Sequence, residues 1–263
     1  DLPRRIKSVF DASDKGGELI RKSLLGLFAY VSNRIPEISD ELYKIDDAMK
    51  AGFGWENGPF EIWDAIGVEK GIEIMKAEGL EPAAWVTEML DSGSKSFYSI
   101  KEGATYFYNI PTKAQTKVPG QDAFIILNNI RESKKIWNNS DSIITDLGDG
   151  IINLEFTSKM NSIGAGVLQG MNKAIDIAEK DYNGLVIGNQ GANFSVGANL
   201  GMIFMMAVEQ EYDELNMAIK MFQDTMMRCR YSAIPVIAAP HGMTLGGGCE
   251  LTMHADRAVA AAE

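Results

Sequence analysis

The sequence predicts an α + α/β protein in three parts. Apolar residues recur with helical spacing through residues 1–105, which indicates an all-helical domain. From residue 140 to residue 263, short apolar strands alternate with helical segments, which is typical of an α/β domain. Residues 106–139 between them contain proline, glycine and many small polar residues, so we expect an extended connector that packs on its neighbours.

The first part reads as five short helices. The residue before a proline avoids α geometry, so the first helix should end by Ile35. Ser39 is the expected N-cap of the second helix, and Asp46 should lie on its solvated face. Gly58-Pro59 can open a third helix with proline in its first turn, and two more are expected at residues 68–77 and 82–90. The apolar stripe of the first helix consists of Leu19, Leu24, Leu27, Phe28 and Val31.

The last part begins with a hairpin signal. Ser142–Leu147 and Ile151–Phe156 flank the turn Gly148-Asp149-Gly150. Leu185–Ile187 is wholly apolar, like a strand buried in a parallel sheet. Helices are expected at 167–179 and 212–230, and further strands at 236–239 and 257–261.

Composition and charge exclude several classes of protein. The 263 residues carry 25 basic and 36 acidic groups, a formal net charge of −11. Residues 1–105 hold 13 basic and 19 acidic groups and residues 140–263 hold 7 and 15, so both flanks are acidic. Such surfaces argue against binding of nucleic acid or of an anionic membrane. No apolar run is long enough for a transmembrane helix, and two cysteines suggest reduced thiols in the cytoplasm. The first residues, Asp1-Leu-Pro-Arg-Arg, read as internal to a longer protein.

The strongest motif is Gly242-Met-Thr-Leu-Gly-Gly-Gly-Cys-Glu250, which follows the predicted strand at 236–239. Consecutive glycines allow a backbone to approach a ligand closely. Their N–H groups at a helix start can bind an anion or a developing oxyanion, and Glu250 would lie in the first turn of that helix. A tight turn followed by a solvated acid is the alternative reading. A second segment, Asn193–Leu200, follows another strand of the same sheet and offers small residues around Gly197-Ala198. Two backbone donors on separate loops can form an oxyanion hole.

These residues resemble the crotonase (enoyl-CoA hydratase/isomerase) superfamily. The resemblance runs from about Ile143 to Glu263 and includes Ser158-Lys-Met-Asn161, Phe194–Leu200 and Gly242–Leu251. It implies a crotonase-like ββα spiral, here a truncated one, because the second catalytic glutamate of the hydratases would follow the first by roughly twenty residues. It also implies that C-terminal helices beyond residue 263 close the coenzyme A site and build a homo-oligomer.

The resemblance assigns site residues one by one. The oxyanion donors for the thioester carbonyl of an acyl-CoA fall on the N–H groups of Ala198 and Gly247, and the first catalytic glutamate falls on Glu250. Asn199 stands where the family usually has aspartate. The substrate path of adenine and pantetheine falls on Lys159, Asn161, Val196, Gly197 and Gly246.

The first part resembles the C-terminal helical domain of 3-hydroxyacyl-CoA dehydrogenases. The match covers about residues 17–90 and rests on Ser32–Glu37 and Ile45–Gly67, with Gly52, Gly54, Gly58 and Pro59 between helices. No strand–GxGxxG–helix unit appears, so the resemblance implies that NAD is bound by a domain upstream of this chain. Asn33 resembles a helix-start asparagine of that family, and a helix-capping role would equally explain it.

The combined reading is a piece of a fused 3-hydroxyacyl-CoA dehydrogenase and enoyl-CoA hydratase of fatty-acid β-oxidation, inactive as this chain alone. An enoyl-CoA isomerase and a non-catalytic acyl-CoA-binding or assembly module remain open. No metal is expected, because His241, Cys249 and His254 fit no zinc spacing and Cys249 suits a small buried position. Seven methionines are candidates for an acyl-chain pocket or for core filling, namely Met202, Met205, Met206, Met217, Met221, Met226 and Met227.

Overall fold

A computed structural model of the chain describes residues 2–262. It divides into two compact units, Asp1–Phe124 and Ile125–Glu263. The first unit is helical up to Asp91 and ends in a small antiparallel sheet, and the second combines a six-stranded mixed sheet with helices. This architecture confirms the predicted α + α/β class. The bounds at residues 105 and 139 stay a prediction; residues 106–124 fold with the first unit and 125–139 with the second.

The helices of the first unit follow the apolar spacing of the sequence. The stripe that begins at Leu19 lies in α2, which ends at Asn33, before the proline. The capping role predicted for Ser39 was wrong, because α3 begins later and its N-cap is Glu41; the Ser39 hydroxyl instead accepts from the Glu41 N–H at 3.2 Å. Among residues 2–124 the helices are α1 (Leu2–Phe10), α2 (Lys15–Asn33), α3 (Leu42–Phe53), α4 (Pro59–Ile66), α5 (Val68–Ala77) and α6 (Ala84–Asp91).

Asp46 was expected on a solvated face, and this was wrong: the residue is fully buried. Its carboxyl group accepts from the backbone N–H of Phe60 at 2.9 Å and of Glu61 at 3.2 Å, and from the Tyr98 hydroxyl at 2.7 Å. Asp46 therefore caps α4 from the neighbouring helix. Burial raises the pKa of Asp46 to about 7, since the charged form loses its hydration. Gly58 makes the approach possible, because a Cβ there would overlap Asp46.

A three-stranded sheet closes the first unit where the sequence predicted an extended connector. Its antiparallel strands are β1 (Tyr98–Lys101), β2 (Ala104–Asn109) and β3 (Ala114–Lys117). Phe107 and Tyr108 of β2 are buried in the core. Asp64 of α4 holds the start of the sheet, because its carboxyl oxygens accept from the N–H groups of Phe97 and Tyr98, each at 2.8 Å. The aromatic residues of this stretch thus pack it against the helices of the first unit.

The second unit is built on a sheet in the order β4-β5-β6-β7-β8-β9. The first three strands pair antiparallel and include the predicted hairpin, and β6 to β9 run parallel. Helices join the parallel strands, as a parallel sheet requires. In chain order the elements are α7 (Leu127–Lys134), β4 (Lys135–Asn138), β5 (Ser142–Gly148), β6 (Ile151–Phe156), α8 (Ala165–Asp181), β7 (Gly184–Ile187), α9 (Leu200–Val208), α10 (Tyr212–Arg230), β8 (Val236–Ala238), α11 (Gly247–His254) and β9 (Arg257–Ala258).

The core of this unit lies between the sheet and α8. Helix α8 buries a face with the spacing of one helical stripe. Cys229 of α10 is also fully buried there, and burial raises the pKa of its thiol to about 12. The buried residues of the α8 stripe are Val167, Leu168, Met171, Ala174, Ile175 and Ala178. Within residues 2–262, no helix combines the length and apolar character needed to cross a membrane.

Candidate active site

Three segments of the second unit converge beyond the carboxyl ends of parallel strands β6, β7 and β8. They span residues 158–163, 193–199 and 241–248, and backbone hydrogen bonds tie them together. The Ile163 N–H donates to the Gly197 carbonyl at 2.8 Å. The Ser195 N–H donates to the Met243 carbonyl at 3.1 Å, and the Leu245 N–H donates to the Ser195 carbonyl at 2.9 Å. Crevices at this edge of a parallel sheet are the usual position of ligand sites in α/β folds.

Glycines allow two of these segments to touch. Gly197 has φ +88° and Gly246 has φ +47°, both in the region that favours glycine. A Cβ on Gly197 would lie 2.7 Å from the Leu245 carbonyl oxygen and 3.1 Å from the Gly247 nitrogen. The backbone at Gly197, which precedes Ala198, is therefore packed directly against the backbone at Gly247.

Two backbone donors at this junction have no acceptor. Gly247 is the first residue of α11, whose initial N–H groups lack partners within the helix. Ala198 pairs with Ile163 in a short parallel bridge that leaves its own N–H unused. Within residues 2–262, no acceptor takes a hydrogen bond from either N–H. Two unused donors on adjacent loops are the arrangement that stabilises an oxyanion.

A cavity of about 590 Å³ opens beside these donors. Ala198, Gly247 and Glu250 all line it, together with residues of α9 and α10. Its described walls are mostly apolar, and among them Glu250 and Glu214 carry the titratable side chains. An apolar cavity with a few convergent polar groups is typical of a small-molecule site.

The other five predicted substrate contacts are not among the described residues of the cavity wall. Lys159 is exposed, and Asn161 has φ +52° with its amide donating to the Asn193 carbonyl at 2.8 Å. Val196, Gly197 and Gly246 belong to the two joined loops. The structure thus brings Asn161, Val196, Gly197 and Gly246 close to the donors, and the role of all five residues as substrate contacts stays a prediction.

The seven candidate methionines divide into three groups. Met202, Met206, Met217 and Met221 line the cavity. Met226 is buried in the core of the unit. Met205 and Met227 are exposed outside the cavity. Four of the seven methionines thus lie where the predicted acyl-chain pocket requires them, all on α9 and α10.

Asn199 has a local role that its sequence position alone did not reveal. Its side-chain oxygen accepts from the Met202 N–H at 3.3 Å and caps α9. Asparagine and aspartate both cap helices well, so the departure from the family's aspartate keeps this contact.

Sequence reasoning missed three residues of the site. Ser195 is fully buried between the loops. Phe222 of α10 lies against the oxyanion turn, since a Cβ on Gly247 would be 2.7 Å from its Cζ atom. Glu214, in the first turn of α10, lines the cavity, and its carboxylate raises the pKa of neighbouring Glu211. The sequence predicted helix α10 but gave no signal for Phe222 or Glu214, because which of its side chains face the cavity depends on how α10 packs against α9 and α11.

Two expectations about single residues were wrong. Asn33 is the last residue of α2, not a helix start. Its amide donates to the Ala29 carbonyl at 2.9 Å and to the Glu81 carbonyl at 3.2 Å, so it joins the end of α2 to the loop between α5 and α6. Cys249, in the first turn of α11, is exposed rather than buried. His241 and His254 each bond a backbone carbonyl, of Gly191 at 2.8 Å and of Glu250 at 2.7 Å.

Family models match two stretches of the chain. Residues 29–106 match the C-terminal domain of 3-hydroxyacyl-CoA dehydrogenase. Residues 147–263 match enoyl-CoA hydratase/isomerase. Both matches confirm the resemblances found in the sequence.

Relatives match nearly the whole chain. A Bacillus subtilis protein named "Probable 3-hydroxyacyl-CoA dehydrogenase" is 44% identical over 98% of this chain and 33% of its own length. A Rickettsia felis protein, named provisionally as a fatty acid oxidation complex trifunctional enzyme, is 28% identical over 93% of this chain and 31% of its own length. The chain thus spans about a third of the length of these relatives.

Solved structures of enoyl-CoA hydratases and related proteins are similar to less than half of the chain. One from Thermoplasma volcanium is 29% identical, with a TM-score of 0.39 over 46% of this chain and 48% of that one. A crotonase-type protein from Legionella pneumophila is 28% identical, with a TM-score of 0.42 over 46% and 48%.

Residues 29–106 therefore match the sequence pattern of the C-terminal domain of 3-hydroxyacyl-CoA dehydrogenase, and residues 147–263 match that of the enoyl-CoA hydratase/isomerase family.

Proposed function

We propose that the cavity binds the acyl thioester of an acyl-CoA and that its carbonyl oxygen accepts from the N–H groups of Ala198 and Gly247. The observation that carries this proposal is the pair of unused donors beside an apolar cavity. When a proton is removed from or added to the carbon next to a thioester, negative charge develops on the carbonyl oxygen. Donors that are already fixed stabilise this charge without reorganising.

Glu250 is the proposed acid/base. It lies one turn after Gly247 on α11 and lines the same cavity. In hydration of a 2-enoyl-CoA, water adds across the C2–C3 double bond: its oxygen bonds to C3, and a proton is delivered to C2. A carboxylate beside the thioester can accept the proton of the attacking water, and a second acid supplies C2. We assign Glu250 to one of these two transfers.

The remaining predicted contacts extend this proposal along the substrate. Lys159, Asn161, Val196, Gly197 and Gly246 follow the path assigned to the adenine and pantetheine of coenzyme A. The four cavity-lining methionines would contact the acyl chain, since flexible thioethers adapt to chains of different shape.

For the whole protein we propose 3-hydroxyacyl-CoA dehydrogenase and enoyl-CoA hydratase activities in fatty-acid oxidation, in the cytoplasm and in a homo-oligomer. Hydration yields the 3-hydroxyacyl-CoA that a dehydrogenase oxidises. The family match of residues 147–263 supports the first step, and the name of the Bacillus subtilis relative supports the second. NAD is the implied oxidant. Among residues 2–124 no parallel strand leads through a glycine-rich turn into a helix, so these residues do not fit a dinucleotide. No step of hydride transfer is assigned to residues 2–124. A catalytic role of Asn33 in the dehydrogenase stays a proposal.

Assays of the full-length protein test the proposal. Glu250→Gln should lower hydration of a short 2-enoyl-CoA by about 10²–10⁴-fold, the usual contribution of a general acid/base. Glu209→Gln is the matched control, because Glu209 is an exposed acid at the end of α9 outside the cavity wall. Migration of a double bond without hydration would instead identify the isomerase alternative. Binding of acyl-CoA without turnover would identify the non-catalytic module.

A further inference from the structure

We propose that Ser195 is a positioning residue that fixes the two oxyanion donors relative to each other. The inference rests on the proposed role of the Ala198 and Gly247 N–H groups. It adds a residue that the family resemblance did not assign and that is not among the described residues of the cavity wall.

The Ser195 side chain joins two of the three converging segments. The residue is fully buried. Its hydroxyl donates to the Asn161 carbonyl at 2.7 Å and accepts from the Gly197 N–H at 3.1 Å. Gly197 immediately precedes Ala198, so the hydroxyl holds the peptide next to the first donor.

The Ser195 backbone joins the third segment. Its N–H donates to the Met243 carbonyl at 3.1 Å, and its carbonyl accepts from the Leu245 N–H at 2.9 Å. A Cβ on Gly248 would lie 2.9 Å from the Ser195 Cβ, so α11 starts directly against this side chain. Gly248 follows Gly247, and Ser195 therefore also contacts the residue next to the second donor.

The hydroxyl is the part of this junction that alanine cannot replace. Without it, the Gly197 N–H has no acceptor in a buried position, and buried polar groups without partners are costly. The loops can recover hydration or find new partners only by moving. Such movement changes the separation of the Ala198 and Gly247 N–H groups, and a displacement of about 1 Å at a reacting centre can cost about 10²-fold in rate.

The first test is amide hydrogen exchange of this chain without ligand. Ser195→Ala should speed exchange of the bonded amides of Ile163, Gly197 and Leu245 at least about tenfold, because local opening exposes them. Ser232→Ala is the matched control: its hydroxyl also donates to backbone carbonyls in the second unit, of Cys229 at 3.1 Å and Ile234 at 2.7 Å, away from the donors. Unchanged exchange in Ser195→Ala would overturn the inference.

The second test measures the donors directly in the full-length protein. An aryl-acryloyl-CoA, whose chromophore is conjugated to the thioester, should absorb at longer wavelength when the two N–H groups polarise its carbonyl. Ser195→Ala should lose most of that shift and lower kcat at least about fivefold with KM within about twofold, and Ser232→Ala should retain both values. A wild-type protein that binds the probe without a shift would overturn the proposed function, whatever the variants do. A wild-type shift that Ser195→Ala fully retains would overturn the role of Ser195 alone.

A conservative variant covers the case in which Ser195→Ala does not fold. Ser195→Cys keeps the shape but offers only a weak donor and acceptor. With wild-type melting behaviour, it should show a reduced spectral shift and an intermediate kcat. A folded Ser195→Cys with the full shift and wild-type kcat would contradict the inference.

Discussion

Gly247 is the position where a single added carbon should disturb both packing and chemistry. A Cβ there would lie 2.7 Å from Cζ and 2.9 Å from Cε2 of Phe222, and 3.5 Å from Cδ1 of Ile163. Carbon atoms in contact normally stay about 3.5–4.0 Å apart. The Phe222 ring or the start of α11 must therefore move by about 1 Å in Gly247→Ala.

The expected cost follows from that displacement. Overpacking of this size typically lowers the free energy of unfolding by about 1–3 kcal/mol, and a donor displaced by about 1 Å should lower turnover by about 10²-fold. Phe222→Leu removes the two clashing ring atoms. The double variant should therefore recover at least about 1 kcal/mol of the free energy of unfolding that Gly247→Ala loses, a coupling typical of residues in contact. Gly26→Ala in α2 is the control, because a Cβ there meets nothing within 4 Å; it should be neutral or slightly stabilising.

Two measurements together check this reasoning. Urea unfolding monitored by hydrogen exchange gives the stability of the second unit, and hydration of a 2-enoyl-CoA by the full-length protein gives the turnover. Gly247→Ala with wild-type stability and turnover would refute the steric argument. If stability falls and Phe222→Leu restores it while turnover never changes, Gly247 has a purely structural role.

Three further results are expected. Glu250→Gln should bind a saturated acyl-CoA with a Kd within about twofold of wild type by calorimetry, since Glu250 transfers a proton and does not set the affinity. A large rise in Kd would contradict that assignment. Asn199→Ala should lower the stability of the second unit by about 0.5–2 kcal/mol through loss of the α9 cap, whereas Asn199→Asp should retain it; equal effects in the two variants would exclude capping. Because burial raises the pKa of Asp46 and of Asp64 to about 7, the native first unit binds more protons than the unfolded chain between about pH 4 and 7, and its stability should fall as pH rises through that window. Asp46→Asn should make the pH dependence of the melting temperature shallower, and an unchanged slope would contradict a raised Asp46 pKa.

Local signals in the sequence were sufficient for much of the fold. Helix α5 has the predicted bounds, as does α10, and the Gly148-Asp149-Gly150 turn connects the predicted hairpin. In each case the signals, apolar spacing and turn glycines, lie within the same short stretch of sequence as the element that they predict. The two loops that carry the donors could also be singled out, because glycine-rich loops after parallel strands carry a physical meaning of their own. The assignment of Ala198 and Gly247 within them came from the resemblance to the crotonase superfamily.

What the sequence concealed depends on contacts between distant segments. Asp46 appeared solvated because nothing local shows that the N-terminus of α4 lies against α3. The sequence indicated a packed, extended segment but not the sheet of β1 to β3, since the pairing of these strands depends on the folded unit. Ser195 was not singled out from the sequence, because its importance follows from the bonds of its hydroxyl to Asn161 and Gly197 in the folded protein.

The central claim is that the Ala198 and Gly247 N–H groups hold an acyl thioester carbonyl. Amide proton and nitrogen chemical shifts of the isotope-labelled chain, titrated with a saturated acyl-CoA, test it most directly, because a new hydrogen bond moves an amide proton downfield. Both signals should move downfield with one common saturation curve, and coenzyme A without an acyl group should not reproduce the shift. Acyl-CoA binding that leaves both amides unchanged, or equal shifts with unacylated coenzyme A, would contradict the account.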